Sequence, residues 1–157
     1  MPNEDPTVRT VRGRAVVAGS AEGAALVAAG PLSFWGGYSP ETGEIIDRRH
    51  DRAGAMAGGR VLVFPYGKGS STGSAILLQS LRNRTAPAAI INLKTDPVAA
   101  LGVIVADEMY GQSIPIVVLA EDDFFSIREG DHLAVEPDGT VRIGPASHPS
   151  KPSRGAR

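Results

Sequence analysis

One segment, residues 61–84, constrains the fold of this chain more than any other. It begins with the apolar run Val-Leu-Val-Phe at 61–64 and continues through a glycine- and serine-rich loop at 67–74. The spacing of the apolar residues that follow is helical, so the segment predicts a buried strand, a tight loop and a helix. Because the first backbone N–H groups of a helix lack partners within it, this loop should direct several donors and the positive end of the helix dipole to one point.

Two known motifs can be compared with this loop. A phosphate-binding P-loop requires G-x-x-x-x-G-K-[ST], but here the lysine comes early, within Gly-Lys-Gly at 67–69. The nucleophile elbow G-x-S-x-G of serine hydrolases is matched by Gly-Ser-Ser-Thr-Gly at 69–73, with Ser71 as the nucleophile. An N-cap serine between glycines that permit a tight turn accounts for the same five residues. The loop alone therefore leaves a catalytic and a purely structural interpretation open.

The wider sequence is similar to a known family. The loop at 65–74 resembles the serine loop of the aconitase swivelling domain, with its Gly-x-Gly-Ser-Ser core. Further segments, in the same order along residues 9–143, resemble the small subunit of aconitase X. Ser-Phe-Trp-Gly-Gly at 33–37 and Gly-Ser-Ser-Thr-Gly-Ser at 69–74 give the resemblance most of its specificity. The remaining segments are 13–17, 21–25, 40–47 and 106–115.

This resemblance implies a hydro-lyase made of two parts that dehydrates a 3-hydroxy carboxylate. A large subunit would carry cysteine-bound iron, as an iron or iron–sulfur centre, and most of the substrate contacts. The small subunit would supply a serine as the base, and Ser70 aligns with the family's base position. We expect the substrate to be bound by the neighbouring loop residues, which are Lys68, Gly69, Ser71, Thr72 and Gly73.

A serine that acts as a base has to be activated. A free serine hydroxyl is a poor base, so the alkoxide must be stabilised by its surroundings. Loop N–H groups, a helix N-terminus and the ammonium group of Lys68 could do this once the cleft closes and water leaves. Lys68 could equally be a solvated side chain. Ser71 is expected to cap the helix or to donate a hydrogen bond to the substrate.

The substrate itself is not specified by the loop. Members of the aconitase X family dehydrate either 5-phosphomevalonate, giving anhydromevalonate phosphate, or cis-3-hydroxy-L-proline. The anion-friendly loop with Lys68 favours the phosphorylated substrate, although a carboxylate would also suit such a loop. We therefore expect 5-phosphomevalonate, with cis-3-hydroxy-L-proline as the alternative.

Composition limits the other partners and cofactors. The chain has no cysteine, and His50, His132 and His148 lie far apart in the sequence, so we expect no metal or cofactor site in this chain. The formal net charge of −1 does not suggest binding to nucleic acid. Apolar runs are too short for a membrane span, and the N-terminus is polar. We therefore expect a cytoplasmic protein that binds a large subunit and a small hydroxy acid.

A single domain accounts for the length of the chain. With 157 residues, of which 42% are hydrophobic, the sequence is sufficient for one core. Residues 1–6 are polar and residues 144–157 are rich in proline, serine and glycine, so both are expected to be flexible tails. Residues 7–143 then form the domain.

The predicted secondary structure is of α/β class. A hairpin with an Asp-Gly turn is predicted at 130–143. Strands and helices alternate over 60–120, which favours right-handed crossovers and parallel pairing. The result is a mixed sheet with a central βαβαβ unit and flanking β-hairpins, which matches the swivelling β/β/α fold that the resemblance implies. The predicted strands are 7–18, 23–28, 60–65, 88–93 and 114–120.

Two helices are predicted within the central unit. The first begins at Ser71 or Thr72 and runs to about residue 84. The second has Asp96 as its N-cap, a proline directly after it, and Gly111 beyond its end. On the first helix, one apolar face is predicted to comprise Ala75, Leu78 and Leu81. The apolar positions that continue the second helix are Leu101, Val105 and Met109.

Several residues outside the loop are candidates for functional or structural roles. Trp35, between a phenylalanine and two glycines, is interpreted as a packing residue at an edge of the core rather than as a substrate contact. Asp47 and His50 could form a charge pair near the cleft, but surface positions after a strand are the favoured interpretation. The functional roles of these three residues are left open.

Two other functions remain to be separated from the dehydratase. A serine hydrolase would use Ser71, an aspartate such as Asp107 or Asp122, and His132, in the chain order of α/β-hydrolases. The chain lacks the His-Gly-Gly oxyanion loop of those enzymes and is small for their fold. A non-catalytic assembly subunit would keep the fold without the chemistry.

Overall fold

The protein is described from a computed structural model, which covers residues 7–146. These residues form eight strands and three helices around a central parallel unit. The strands are β1 (Arg9–Arg12), β2 (Arg14–Val17), β3 (Ala21–Val27), β4 (Val61–Val63), β5 (Ala89–Asn92), β6 (Ile116–Val118), β7 (His132–Val135) and β8 (Thr140–Gly144). The helices are α1 (Gly73–Asn83), α2 (Pro97–Tyr110) and α3 (Glu121–Phe125).

All eight strands belong to one mixed sheet in the order β1-β8-β7-β3-β4-β5-β6-β2. β3, β4, β5 and β6 are parallel neighbours, and α1 and α2 are the crossovers from β4 to β5 and from β5 to β6. This confirms the predicted βαβαβ unit. β7 and β8 form the predicted antiparallel hairpin, whose Gly139 has a positive φ of 93° in the turn.

The N-terminal part differs from the prediction, because it forms no hairpin of its own. β1 pairs with β8 and β2 pairs with β6, so consecutive strands occupy opposite ends of the sheet order. Between them, a Cβ at Gly13 would lie 2.6 Å from the Val118 carbonyl oxygen, and the Gly13 N–H donates to the Gly139 carbonyl at 2.9 Å. The chain therefore bends from one end of the sheet to the other at Gly13, and the sheet is nearly closed into a barrel.

Alternate residues of the central strands point to two separate hydrophobic cores, as the two-residue period of a strand requires. Leu62 and Ile90 face the helices, whereas Val61 and Ile91 face the interior of the curved sheet. All four are completely buried. Full burial of such a side chain stabilises the fold by about 1.5–3 kcal/mol. The parallel strands, buried on both faces, fix the place where the following loops emerge.

The buried faces of the two helices differ in part from the predicted apolar positions. On α1, Leu77 and Leu81 are buried, Leu78 is half-buried and Ala75 is exposed. On α2 the buried positions are small residues and Val103, whereas Leu101 and Met109 lie on the outer surface and Val105 is half-buried. The reason is the close approach of the helices: a Cβ at Gly102 would lie 2.7 Å from the Ser74 carbonyl oxygen of α1. Small side chains, not large ones, therefore form this contact.

The predicted domain boundaries, at residues 7 and 143, stay a prediction. β8 continues through Gly144, one residue into the segment predicted as a C-terminal tail. The remaining parts of both predicted tails, residues 1–6 and 147–157, lie outside the described residues, as does His148. The short helix α3 was not predicted. Within residues 7–146, no helix combines the length and hydropathy needed to cross a membrane.

Candidate active site

The serine loop, which we define as residues 66–72, follows β4 at the carboxyl end of the parallel strands. It lies beside the segment that follows β3: the Lys68 N–H donates to the Leu32 carbonyl at 3.0 Å, and the Leu32 N–H donates to the Tyr66 carbonyl at 3.2 Å. In open α/β sheets, ligands bind beyond the carboxyl ends of the strands. The fold therefore puts the serine loop where its predicted role requires it.

Ser70 lies directly before α1, and its side-chain oxygen accepts the first free amide of the turn. The Thr72 N–H donates to Ser70 Oγ at 3.0 Å, and Ser70 Oγ donates to Thr72 Oγ1 at the same distance. The Ser70 side chain is exposed. One backbone N–H group thus donates to the Ser70 oxygen close to the N-terminus of α1, and such a donor stabilises negative charge on that oxygen.

The predicted capping role of Ser71 is wrong. Thr72 occupies the N-cap position of α1 without a side-chain cap bond, and the hydroxyl that accepts the nearby N–H belongs to Ser70. Ser71 contributes its carbonyl, which accepts the Ser74 N–H at 3.1 Å. Within residues 7–146, the exposed Ser71 hydroxyl has no hydrogen-bond partner. It is therefore free to donate to a ligand, which leaves its second predicted role as a prediction.

Two glycines give the serine loop its shape. Gly69 has a φ of 89°, and a Cβ there would lie 2.5 Å from Ser33 Oγ, so both the backbone and the space favour glycine. A Cβ at Gly67 would collide with the carboxylate of Asp96. A Cβ at Gly73, at the start of α1, would lie 3.3 Å from Phe34 Cβ and from Val98 Cγ1, closer than an ordinary contact. The loop is therefore packed tightly against its neighbours at Gly67 and Gly69, before Ser70.

Asp96 packs against the serine loop, because its carboxylate occupies the space beside Gly67. It is buried and caps α2, because its Oδ1 accepts the Val98 N–H at 3.0 Å and the Ala99 N–H at 3.2 Å. Burial raises the pKa of the Asp96 carboxyl above its ordinary value, and the two N–H donors offset only part of that effect. The sequence predicted this residue as a helix cap, but not its contact with the loop.

Two cavities adjoin the serine loop. The smaller, of about 180 Å³, is lined by Leu32, Phe34, Gly67, Lys68, Gly69, Asp96, Pro97 and Val98. The larger, of about 390 Å³, lies beyond the end of β3. Lys68 lines both cavities, so its side chain lies at the boundary of each. Of the residues predicted to bind substrate, Lys68 and Gly69 border these cavities, whereas Ser71, Thr72 and Gly73, like Ser70, are not among the lining residues.

The structure corrects the interpretation of Trp35. Its side chain is 55% exposed, so it is not a packing residue of the core, a role that its neighbour Phe34 has instead. The Trp35 backbone lies close to Gly73 at the start of α1, and its carbonyl accepts a hydrogen bond from Ser33 Oγ at 2.9 Å. An exposed tryptophan thus stands beside the serine loop. The sequence alone did not indicate which of the two adjacent aromatic side chains, Phe34 or Trp35, would be buried.

Asp47 and His50 both line the larger cavity, and His50 is not a surface residue. Only 9% of His50 is exposed. Its Nδ1 accepts the Arg52 N–H at 3.0 Å, which leaves Nε2 as a buried atom without a hydrogen-bond partner in the described part of the chain. Asp47 is half-buried and accepts the Arg49 N–H at 3.0 Å. The predicted charge pair between the two side chains is not among the contacts of the described residues.

The residues that a serine hydrolase would need are not brought together. Asp107 lies near the far end of α2, roughly 16 Å along the helix axis from Asp96. His132 is on β7, where its Nε2 lies 3.0 Å from Glu22 Oε1 on the neighbouring strand. Asp122 belongs to α3. The geometry therefore gives Ser71 no triad.

Iron, which the family resemblance places in a two-part enzyme, finds no suitable set of ligands here. The chain has no cysteine. Across residues 7–146, no three side chains of the metal-binding types lie together. The residues described here therefore do not provide the ligands of an iron or iron–sulfur centre.

Comparison with known proteins agrees with this geometry. The sequence model of the aconitase X swivel domain matches residues 10–143. The chain is 42% identical over 125 residues to the phosphomevalonate dehydratase small subunit of Methanosarcina mazei, which covers 79% of this chain and 83% of that protein. It is 49% identical over 108 residues to the cis-3-hydroxy-L-proline dehydratase of Pseudomonas aeruginosa, covering 69% of this chain but only 19% of that longer protein.

A solved structure shows the same fold. The holo-form of Thermococcus kodakaraensis aconitase X superposes with a TM-score of 0.77 at 37% identity, covering 86% of this chain and 98% of that chain. The serine loop, the nearly closed sheet and these relatives all lead to the same assignment. The chain belongs to the aconitase X swivel domain family.

Proposed function

We propose that this chain is the serine-bearing small subunit of an aconitase X type hydro-lyase, which dehydrates a 3-hydroxy carboxylate. The observation that carries the proposal is the environment of Ser70. Its exposed Oγ lies at the start of α1, with the Thr72 N–H donating to it at 3.0 Å, on the side of the sheet where ligands bind. The names of the relatives support the same activity.

In this proposal Ser70 is the base. As an alkoxide it removes the proton from the carbon next to the substrate carboxylate and becomes a hydroxyl, while the electron pair of the C–H bond forms the double bond. The C–O bond breaks with its electron pair, and the 3-hydroxyl leaves as hydroxide, which a Lewis acid held by the large subunit would accept. The Thr72 N–H and the α1 dipole stabilise the alkoxide form of Ser70. The ammonium group of Lys68 adds positive charge, and closing the cleft removes the water that would weaken these interactions.

A large subunit is the proposed partner. In the curated small-subunit relatives, the name itself implies a second chain, and in the hydroxyproline dehydratase the matching region is about a fifth of a longer protein. We expect the large subunit to hold the iron or iron–sulfur centre. Two exposed aromatic side chains lie at the serine loop, Tyr66 within it at 42% exposure and Trp35 beside it at 55%, and such residues are typical anchors of protein interfaces. We infer no nucleic-acid or membrane partner, and a cytoplasmic location remains a prediction.

We propose 5-phosphomevalonate as the substrate, with anhydromevalonate phosphate as the product. The small subunits from Methanosarcina mazei and Methanosarcina acetivorans that share this substrate in their names are 42% and 40% identical to the chain. Cis-3-hydroxy-L-proline is the second candidate, and the 49% identity to the Pseudomonas aeruginosa dehydratase favours it. The serine loop suits both substrates.

Reconstitution with the large subunit tests the proposal. The chain alone should be inactive, and the complex should dehydrate one of the two substrates. Ser70→Ala should lower kcat by about 10²–10⁴-fold, the range for loss of a general base, while the complex still assembles. Ser71→Ala is the matched control and should retain far more activity.

Three results would contradict it. A fully active Ser70→Ala complex would leave the chain as a non-catalytic assembly subunit. Ester hydrolysis by the chain alone, blocked by modification of Ser71, would support the serine hydrolase interpretation instead. A wild-type complex that turns over neither substrate would refute both proposed substrates.

A further inference from the structure

Two cationic side chains, Arg49 and Lys68, line the larger cavity beside the serine loop. The cavity is lined by Ala29, Gly30, Pro31, Asp47, Arg49, His50, Asp51 and Lys68. Both Arg49 and Lys68 are exposed, and neither side chain has a hydrogen-bond or ion-pair partner within residues 7–146. By contrast, Arg52 and Arg60 both contact the Glu129 carboxylate, at 3.1 Å and 2.8 Å.

The two carboxylates of the same cavity are already bonded to backbone amides. Asp51 accepts the Ala29 N–H at 2.9 Å and the Gly30 N–H at 3.0 Å, one on each carboxylate oxygen. Burial alone raises the pKa of Asp51, but these two N–H groups, the electrostatic interaction with His50 and the N–H of Asp51 itself together outweigh burial and hold the pKa below its ordinary value. Asp47 accepts the Arg49 N–H. The negative groups therefore shape the cavity, whereas the positive groups remain available.

The position of Lys68 connects this cavity with the chemistry. Lys68 lies two residues before Ser70 and also lines the smaller cavity under the serine loop. Lys68 thus joins the larger cavity, which Arg49 also lines, to the loop that carries Ser70. A guanidinium group offers two parallel N–H donors that match a phosphate, and a lysine supplies a compact charge.

We propose that this cavity is the subsite for the substrate's terminal phosphate, with Arg49 and Lys68 as its ligands, an inference that rests on the proposed function. Arg49 thereby becomes a specificity-determining residue that distinguishes a phosphorylated hydroxy acid from an unphosphorylated one. Neither the serine motif nor the composition of the chain indicates this role.

Kinetics of the reconstituted complex provide the first test. Arg49→Gln should raise the KM for 5-phosphomevalonate by about 10- to 100-fold, as expected for one lost charge-assisted hydrogen-bonding partner, with kcat within about twofold. Arg48→Gln is the matched control: the same charge is removed one position away, from an exposed side chain that does not line the cavity. Equal KM values for the two variants would overturn the subsite. Arg49→Lys should restore part of the affinity.

Direct binding separates this inference from the proposed function. In the full chain, inorganic phosphate should shift the amide resonances of Gly30, Arg49 and Lys68 saturably in ¹⁵N–¹H spectra. Arg49→Gln should abolish that saturation and Arg48→Gln should preserve it. Saturable binding together with a complex inactive on 5-phosphomevalonate would refute the proposed substrate but keep the anion subsite. Wild-type activity without saturable, Arg49-dependent shifts and without a KM change in Arg49→Gln would refute the subsite alone.

Discussion

Two loops meet at the carboxyl end of the central strands, and they are built in different ways. In the serine loop, the bond that involves Ser70 is short-range, from the Thr72 N–H, and two glycines allow the loop to pack closely against its neighbours. The segment 29–52 has almost no regular structure, and its two ends are joined by bonds from the Ala29 and Gly30 N–H groups to Asp51. The functional residues of the first loop are therefore adjacent in the sequence, whereas those of the second are brought together across 22 residues.

The largest effect is expected where the serine loop depends on a neighbour. Gly67→Ala places a methyl group against the Asp96 carboxylate, so the loop must move away from α2. A displacement of about 1 Å costs on the order of 100-fold in rate when it misplaces a reacting group, and we expect at least that loss in kcat of the reconstituted complex. Gly36→Ala is the control, because no atom lies within 4 Å of a Cβ there, although its φ of 78° adds backbone strain of its own. Equal activity of the two variants would contradict the packing argument.

Removing a bond that holds the segment 29–52 together should lower the free energy of unfolding. Asp51→Asn removes one of two amide-to-carboxylate bonds and should destabilise the chain by about 1–2 kcal/mol, measured by urea unfolding at neutral pH. Since the folded-state pKa of Asp51 lies below its ordinary value of 3.8, the carboxylate stabilises the fold above that pH and loses its contribution as pH falls through the lowered pKa. The difference between the variant and the wild type should therefore shrink below pH 3.8. A difference independent of pH would contradict this assignment.

A smaller effect is expected at the helix cap that links the serine loop to α2. Asp96→Ala removes the acceptor of two N–H groups and should cost about 1 kcal/mol in the free energy of unfolding. Asp96→Asn keeps an acceptor and should cost much less. Because the pKa of Asp96 is raised in the folded protein, ionisation opposes folding, and the wild type should gain stability relative to Asp96→Asn as pH falls below the raised pKa. Equal losses in both variants would argue against the capping role.

The smallest effect should come from Ser71. Its hydroxyl has no partner in the described part of the chain, so Ser71→Ala should change the free energy of unfolding by no more than about 0.5 kcal/mol. Ser70→Ala removes an acceptor at the start of α1 and should cost about 0.5–2 kcal/mol. Thermal unfolding of the two variants in parallel measures the difference. A larger loss for Ser71→Ala would return the capping role to that residue.

The parts of the fold that follow from local sequence could be predicted. Strand and helix alternation gave the central unit, and the cap at Asp96 and the turn at Gly139 were evident from residue types. The pairing of β1 and β2 could not be predicted, because it depends on how distant strands surround Gly13. The outer position of Leu101 was equally hidden, since helix contact at Gly102 decides which face is buried.

The candidate site divides in the same way. Ser70 was identified through a motif that forms one continuous loop. Ser70 rather than Ser71 accepts a backbone amide because the turn before α1 brings the Thr72 N–H to Ser70 Oγ, and residue types alone do not specify that turn. His50 and Arg49 belong to the irregular segment 29–52, in which the spacing of apolar residues does not predict burial. The burial of His50 and the position of Arg49 at the larger cavity were therefore not predictable from the sequence.

The bend at Gly13 has a consequence for how the domain can meet another protein. Because β1 and β2 are two halves of one continuous run that pairs with β8 on one side and β6 on the other, the unpaired backbone edges of the sheet are only four residues long each. Such short edges resist the strand-to-strand association that leads to aggregates. A second protein would therefore meet side chains and loops rather than a long open strand edge.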